Sequence, residues 1–207
     1  MEKEENKKKL LVEGNDDKHV IWALCEKFNI PEVFDVIDCK GKNNIPKEIR
    51  VRLKLPDTNE AIGIVVDADD NLDSRWTDIR KLLLEQGFNV PIDLPIDGLV
   101  SSNNDVKFGV WIMPDNNTNG MLEDFISFLV PQDDKLFQIV KDNLKEIEKQ
   151  KLNKYSPIHQ SKARIHSWLA LQKEPGTPLG SSITRNYLTT DNKICKQFIN
   201  WLLELFN

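Results

Sequence analysis

A chain of 207 residues with 40% apolar content is long enough to bury one sizeable core, and a single domain over 1–207 is the expectation. Its formal net charge of −5 argues against coating nucleic acid by bulk attraction, so any such contact must be local. No apolar stretch approaches the about 18 residues that cross a bilayer, and the charged run Met1 to Lys9 lacks the apolar centre of a secretory signal; a soluble, cytoplasmic protein without a membrane anchor is expected. Three widely spaced cysteines, Cys25, Cys39 and Cys195, match neither a disulfide framework nor paired zinc ligands and read as buried free thiols.

The elements begin with Lys9 to Glu13, a short apolar run closed by Gly14, which reads as a buried strand ending in a turn. Asp16 and Asp17 are suitable caps for a helix carrying Val20, Ile21, Leu24 and Phe28 up to the breaker Asn29-Ile30-Pro31. Val33 to Ile37 is a second strand, and Lys40 to Asn44 a turn into a helix around Ile45 to Leu53. Ala61 to Val66 is apolar almost throughout, as a central strand covered on both faces must be, and runs directly into Asp67-Ala68-Asp69-Asp70. Asp73 or Ser74 caps a third helix bearing Trp76, Ile79, Leu82 and Leu83 that stops at Gly87. The Pro-rich stretch beyond reads as irregular. Lys107 to Met113 is a further strand, followed by an Asn/Gly-rich loop and a helix over Met121 to Leu129.

From about Gln132 the period becomes helical: Leu136, Val140, Leu144 and Ile147 form one stripe, Ile158, Ile165, Trp168 and Leu169 a second, and Ile194, Phe198, Trp201, Leu202 and Leu205 a third. The whole implies an α/β fold: a mainly parallel central sheet flanked by helices over about 8–130, with a helical C-terminal extension over about 131–207.

In open parallel sheets ligands gather outside the carboxyl ends of the strands. Glu13 with Asp17, Asp67 with Asp69 and Asp70, and the loop from Asp115 to Glu123 all fall at such ends. Several carboxylates brought together repel, and Mg²⁺ or Mn²⁺ is the usual remedy because hard cations take oxygen ligands. The plain alternative is that Asp16, Asp17, Asn71 and Asp73 are helix caps or turn formers. Glu13 resists that reading, since Glu is not a favoured cap.

Leu11-Val12-Glu13-Gly14-Asn15-Asp16-Asp17 and Gly63-Ile64-Val65-Val66-Asp67-Ala68-Asp69 resemble the glutamate motif and the Asp-x-Asp motif of the Toprim domain, a compact α/β module of topoisomerases, bacterial primases and the overcoming-lysogenization-defect nucleases. The chain looks most like a stand-alone bacterial Toprim-related family, over about Lys8 to Ile183. The resemblance implies a Toprim-like fold and a metal set of Glu13, Asp17, Asp67, Asp69 and Glu123, with Asp124 a neighbour of the last. It also implies catalytic roles for Glu13, as ligand or general acid/base, and for Lys162, which would offset charge in the transition state. The activity implied is Mg²⁺/Mn²⁺-dependent phosphodiester cleavage of DNA or RNA, in a defence setting and with a partner ATPase by analogy.

Two other readings stand beside it. A non-catalytic regulatory subunit of a nucleic-acid or defence complex would use the same acidic edge to hold a metal and a phosphate-bearing ligand. A phosphoryl-transfer domain like response-regulator receivers also places acids at strand ends, but Glu13-Gly14 before Asp16-Asp17 fits it poorly. The basic stretch Lys40, Lys42, Lys47, Arg50, Arg52 and Lys54 suits either a phosphate backbone or a solvated helix face. His159 and His166 read as structural or exposed. Trp111, Trp168 and Trp201 read as core, and Trp22 and Trp76 as facing the sheet. Glu174 to Ser182 reads as a turn-rich loop without the spacing of a phosphate-binding loop.

Overall fold

A computed structural model of the chain describes residues 6–54, 60–103 and 106–207. Most of the charged N-terminal run, residues 1–5, lies outside them. Five strands, β1 (Lys8–Val12), β2 (Asp35–Asp38), β3 (Ala61–Asp67), β4 (Leu99–Ser102) and β5 (Lys107–Met113), form one sheet in the order β2-β1-β3-β5-β4. The β1–β2, β1–β3 and β3–β5 pairs are parallel, and β4 runs antiparallel to β5 at the edge. The chain leaves β1 to one side for β2 and returns on the other side as β3, so the strand order reverses between β1 and β3. Such a reversal, where the bordering connections leave in opposite directions, is where α/β sheets of this kind place ligands.

The two-residue alternation of strand side chains divides the core in two. Leu11, Ile62, Ile64, Val66, Phe108, Val110 and Ile112 face α2 (Ile45–Leu53) and α3 (Leu72–Glu85), whose Ile45, Ile49, Trp76, Ile79, Leu82 and Leu83 complete that layer. Leu10, Val12, Val65, Trp111 and Met113 face the opposite layer, built from α1 (Asn15–Lys27), α4 (Leu122–Phe128), α5 (Lys135–Lys149), α6 (Gln160–Leu169), α7 (Leu179–Thr184) and α8 (Lys193–Phe206). Burial on both faces explains why β3 and β5 read as unbroken apolar runs.

The helix α8 lies close on the sheet because Gly63 and Gly109 are register partners on β3 and β5. A Cβ at Gly63 would stand 2.7 Å from both Leu10 Cδ1 and Leu205 Cδ2, and one at Gly109 2.6 Å from Leu205 Cδ2. The pair leaves a shallow seat that Leu205 fills. At this same C-terminal end of α8, Lys107 Nζ donates to the carbonyls of Glu204 (3.0 Å) and Asn207 (3.2 Å), a favourable cation at a helix C-terminus.

Several local expectations are corrected. The stretch after α3 that reads as irregular contains β4, only four residues long and anchored by Trp201 Nε1 donating to Leu99 O at 3.0 Å. The loop from Glu174 to Ser182 ends inside α7, a six-residue helix pressed against α1. Trp22 does not face the sheet: it is 46% exposed on α1, with Lys18 Nζ 4.6 Å above its ring and His19 edge-on to it. Asn71, not Asp73 or Ser74, caps α3, accepting from Ser74 N at 2.8 Å. Gly14 rather than an aspartate is the N-cap of α1. No helix among the described residues is long and apolar enough to cross a membrane.

Candidate functional site

Four of the acids singled out in the sequence, Glu13, Asp17, Asp67 and Glu123, gather at the carboxyl ends of β1 and β3. Glu13 follows the last residue of β1, and its Oε1 accepts a hydrogen bond from the backbone N–H of Asp67 at 3.1 Å, across 54 residues of sequence. Because Val12 is level with Val65 in the parallel register, one more step along each strand brings Glu13 beside the end of β3. Asp17, in the first turn of α1, is 7% exposed; its Oδ2 accepts from Gly14 N at 3.1 Å while its Oδ1 is buried with no partner among the described residues. Asp67 closes β3, and its Oδ1 accepts from Leu122 N, the first residue of α4, at 2.9 Å. Glu123, on the same first turn of α4, is 4% exposed and paired with Lys162 Nζ of α6 at 3.1 Å.

These four carboxylates feel one another. Burial raises the Asp67 carboxyl from 3.8 to about 9, with repulsion from Asp17, Glu13 and Glu123 adding to it. Asp17 rises to about 7 for the same reasons, burial first, then Glu13, with Glu123 also contributing. Glu13 is raised by burial, against the lowering effects of the Asp67 amide and Arg75. On Lys162, burial works against the ammonium, but Glu123, Asp16 and Asp67 outweigh it and the net shift is upward.

Asp69 stands slightly apart. Its backbone is left-handed (φ 55°), and its N–H and C=O both bond Gly120, at 2.9 and 2.8 Å, which ties the loop after β3 to the loop before α4. Gly120 itself has φ 146°, and a Cβ there would lie 2.7 Å from Asp124 Oδ2. The Asp69 carboxylate is held by Lys42 Nζ at 2.7 Å and Arg75 at 2.9 Å. Asn119 secures the same loops, accepting from Leu72 N at 2.9 Å and donating to Asp70 O at 2.7 Å.

Arg75 was missed in the sequence. It donates from Nε to Asp67 O at 2.9 Å, pairs with Asp69, and lies 4.0 Å from Glu13 Oε1. A cation in the first turns of a helix opposes the local dipole, and that misplaced sign was the available signal that Arg75 has a specific partner. Asp115 does not join the group: its Oδ1 is occupied by the N–H groups of Asn117 and Thr118 and the Thr118 hydroxyl. Asp124 turns back to Met121 N at 3.0 Å. His159 and His166 are exposed. The three cysteines are free, Cys39 and Cys195 buried and Cys25 half-buried, and burial pushes their thiols up to about 11, 11 and 12 for Cys25, Cys39 and Cys195.

Among the described residues, no three His, Cys, Asp or Glu side chains are arranged to hold a metal ion as they stand. Backbone amides, Arg75, Lys42 and Lys162 take up much of the carboxylate capacity. The donor set nevertheless suits a hard cation: all oxygens, brought by three separate segments, with one buried oxygen of Asp17 unsatisfied.

The chain belongs to a family described as a protein of unknown function (DUF3226), whose model matches residues 7–207. Comparison with curated proteins and with solved structures gave no match.

Proposed function

We propose that the protein is an Mg²⁺- or Mn²⁺-dependent phosphodiesterase acting on nucleic acid, with a Toprim-like core. The observation that carries this reading is the convergence of Glu13, Asp17, Asp67 and Glu123 from three segments, with Asp17 Oδ1 buried and unpartnered. Buried acids that repel one another destabilise a fold, and a cluster of them at a strand-order reversal supports a chemical role. Glu13, Asp17, Asp67 and Glu123 would hold the cation, with Asp69 at the rim. The chemistry such a cation would supply is polarisation of a phosphoryl oxygen and a lowered pKa for bound water. Glu13, partly exposed at the end of β1, would serve either as a ligand or as the group that moves a proton at the attacking or leaving oxygen. Lys162, half-exposed and paired with Glu123, would offset charge developing on a phosphoryl group bound there.

The test is cleavage of labelled DNA and RNA with Mn²⁺ by the wild type, Glu13→Gln and Asp67→Asn. The reading requires cleavage by the wild type and its loss, by at least 100-fold, in both variants. Intact substrate at stoichiometric protein rejects it.

A second reading, a metal- and phosphate-binding regulatory subunit without turnover, is favoured by the cations already seated on the acids: Arg75 and Lys42 on Asp69, Lys162 on Glu123. Mn²⁺ binding that depends on Glu13 and Asp67 without cleavage decides for it. A partner ATPase fits either reading.

A further inference from the structure

We infer that Lys42 and Arg75 stand in the place of a second cation at Asp69, so that the acidic edge takes one divalent ion, on the side of Asp17. This rests on the reading of the cluster as a divalent-metal site and deepens it by fixing how many ions that site takes. Two side chains reach the same oxygen: Asp69 Oδ2 accepts from Lys42 Nζ at 2.7 Å and from Arg75 at 2.9 Å, both charge-assisted contacts. A divalent ion at that carboxylate would meet two like charges at contact distance.

Both cations are held by more than Asp69. Arg75 also donates from Nε to Asp67 O at 2.9 Å and stands 4.0 Å from Glu13 Oε1, with 22% of its side chain exposed. Lys42 follows a turn with two left-handed positions, Lys40 (φ 60°) and Gly41 (φ 112°), and the Gly41 N–H ties that turn to the site by donating to Glu13 O at 2.7 Å. The Asn44 amide closes the same turn on Cys39 O at 2.8 Å and Lys40 O at 3.1 Å. Asp69 in turn is fixed by its left-handed backbone and its two bonds to Gly120. The unmet capacity lies on the other side, at Asp17 Oδ1, buried without a partner among the described residues and near enough to Glu13, Asp67 and Glu123 for mutual repulsion. Charge agrees with geometry. The ligands of a cation are ionised, and Glu13, Asp17, Asp67, Asp69 and Glu123 then face Lys42, Arg75 and Lys162, which leaves two negative charges, the complement of one divalent ion. Asp124, beside them, has Arg164 as its own counter-charge.

The experiment is a titration of the full chain with Mn²⁺ at pH 8, counting bound ions from the electron paramagnetic resonance signal of the free ion. The wild type is expected to take one ion per chain, with any second at least 100-fold weaker, and Asp17→Asn to weaken the first at least tenfold. The Lys42 side chain is half-exposed and can be replaced without disturbing the core. Lys42→Gln should tighten the second ion at least tenfold, and Arg75→Gln added to it should tighten that ion further. Asp69→Asn in that background should remove the second ion again, which separates a gained site from loose binding to a partly unfolded chain. Two tight ions on the wild type, or a second ion that Lys42→Gln leaves unmoved, would overturn the one-ion assignment; no ion at all would overturn it together with the metal reading. Two tight ions with cleavage would keep the phosphodiesterase, whereas one ion without cleavage would keep the assignment and remove that activity.

Discussion

Asp67 is the side chain in which fold and function conflict most openly. Its carboxylate is desolvated, faces three other acids, and has one amide, that of Leu122, in compensation. Its folded pKa, about 9, lies above the ordinary 3.8, as does that of Asp17 at about 7. The folded state thus binds protons that the unfolded chain has already released. The stabilising contribution of these groups is complete below about pH 4 and is lost as pH rises through 7 and then 9. Asp67→Asn keeps an oxygen for the Leu122 N–H and needs no proton to stay neutral in the fold. In EDTA at pH 8 it should raise stability and flatten the fall in stability between pH 5 and pH 9, because folding no longer requires a proton that the unfolded chain has released. Urea unfolding across that range measures both; an Asn variant less stable than wild type at pH 8 contradicts the account. That Glu13 and Asp67 reach one edge was legible beforehand because both end apolar strands, whereas Asp17 and Glu123, in the first turns of helices, were pointed to only by the Toprim resemblance. Arg75 was not, since a lone arginine on an amphipathic helix looks like any solvated residue until its partners are known.

The elements show a similar division between what patterning reveals and what contact reveals. Strands β1, β3 and β5 and helices α1 to α4 follow from apolar periodicity, since each buries a continuous stripe. Strand β4 and helix α7 did not follow, because four and six residues give too few repeats, and both are held from outside: β4 by Trp201 and by pairing with β5, α7 by α1. Trp22 shows the reverse error, an aromatic at a helical spacing that belongs to the outer side of α1. The Gly63/Gly109 seat was likewise invisible in one dimension, since only the register places the two glycines side by side. In Gly109→Ala the new Cβ meets Leu205 and Trp201, each 1% exposed and without room to retreat, so a loss of about 1–3 kcal/mol is expected. Leu205→Ala alone opens a cavity and should cost about 2–5 kcal/mol. The double substitution should cost clearly less than the two losses added, because each relieves the other. Additive losses in denaturant unfolding would mean that α8 does not rest on that glycine pair.

The five-stranded sheet joins these separate effects, because the reversal of strand order between β1 and β3 forces the chain to deliver acids from β1, β3 and the start of α4 to one edge. The layer of α1 and α4 to α8 shields that edge on one side, and α2 and α3 with their cations flank it on the other. A sheet loaded in this way stores repulsion that a ligand can release. If Mn²⁺ is that ligand, it binds the folded chain alone and stabilises it by mass action, about 2.7 kcal/mol at a concentration one hundred times its Kd. For a chain of this length that is about 5–10 °C in Tm. Protons compete for the same oxygens, so the shift should be large at pH 8 and small at pH 5. Glu13→Gln and Asp67→Asn should reduce it at pH 8, and Asp67→Asn should do so from a higher starting Tm, since an amide needs no proton to be neutral in the fold. Thermal unfolding with and without Mn²⁺ at the two pH values reads all of this. A shift that is the same at pH 5 and pH 8, or that survives both substitutions, would place the ion elsewhere and leave the acidic edge relieved only by Arg75, Lys42 and Lys162.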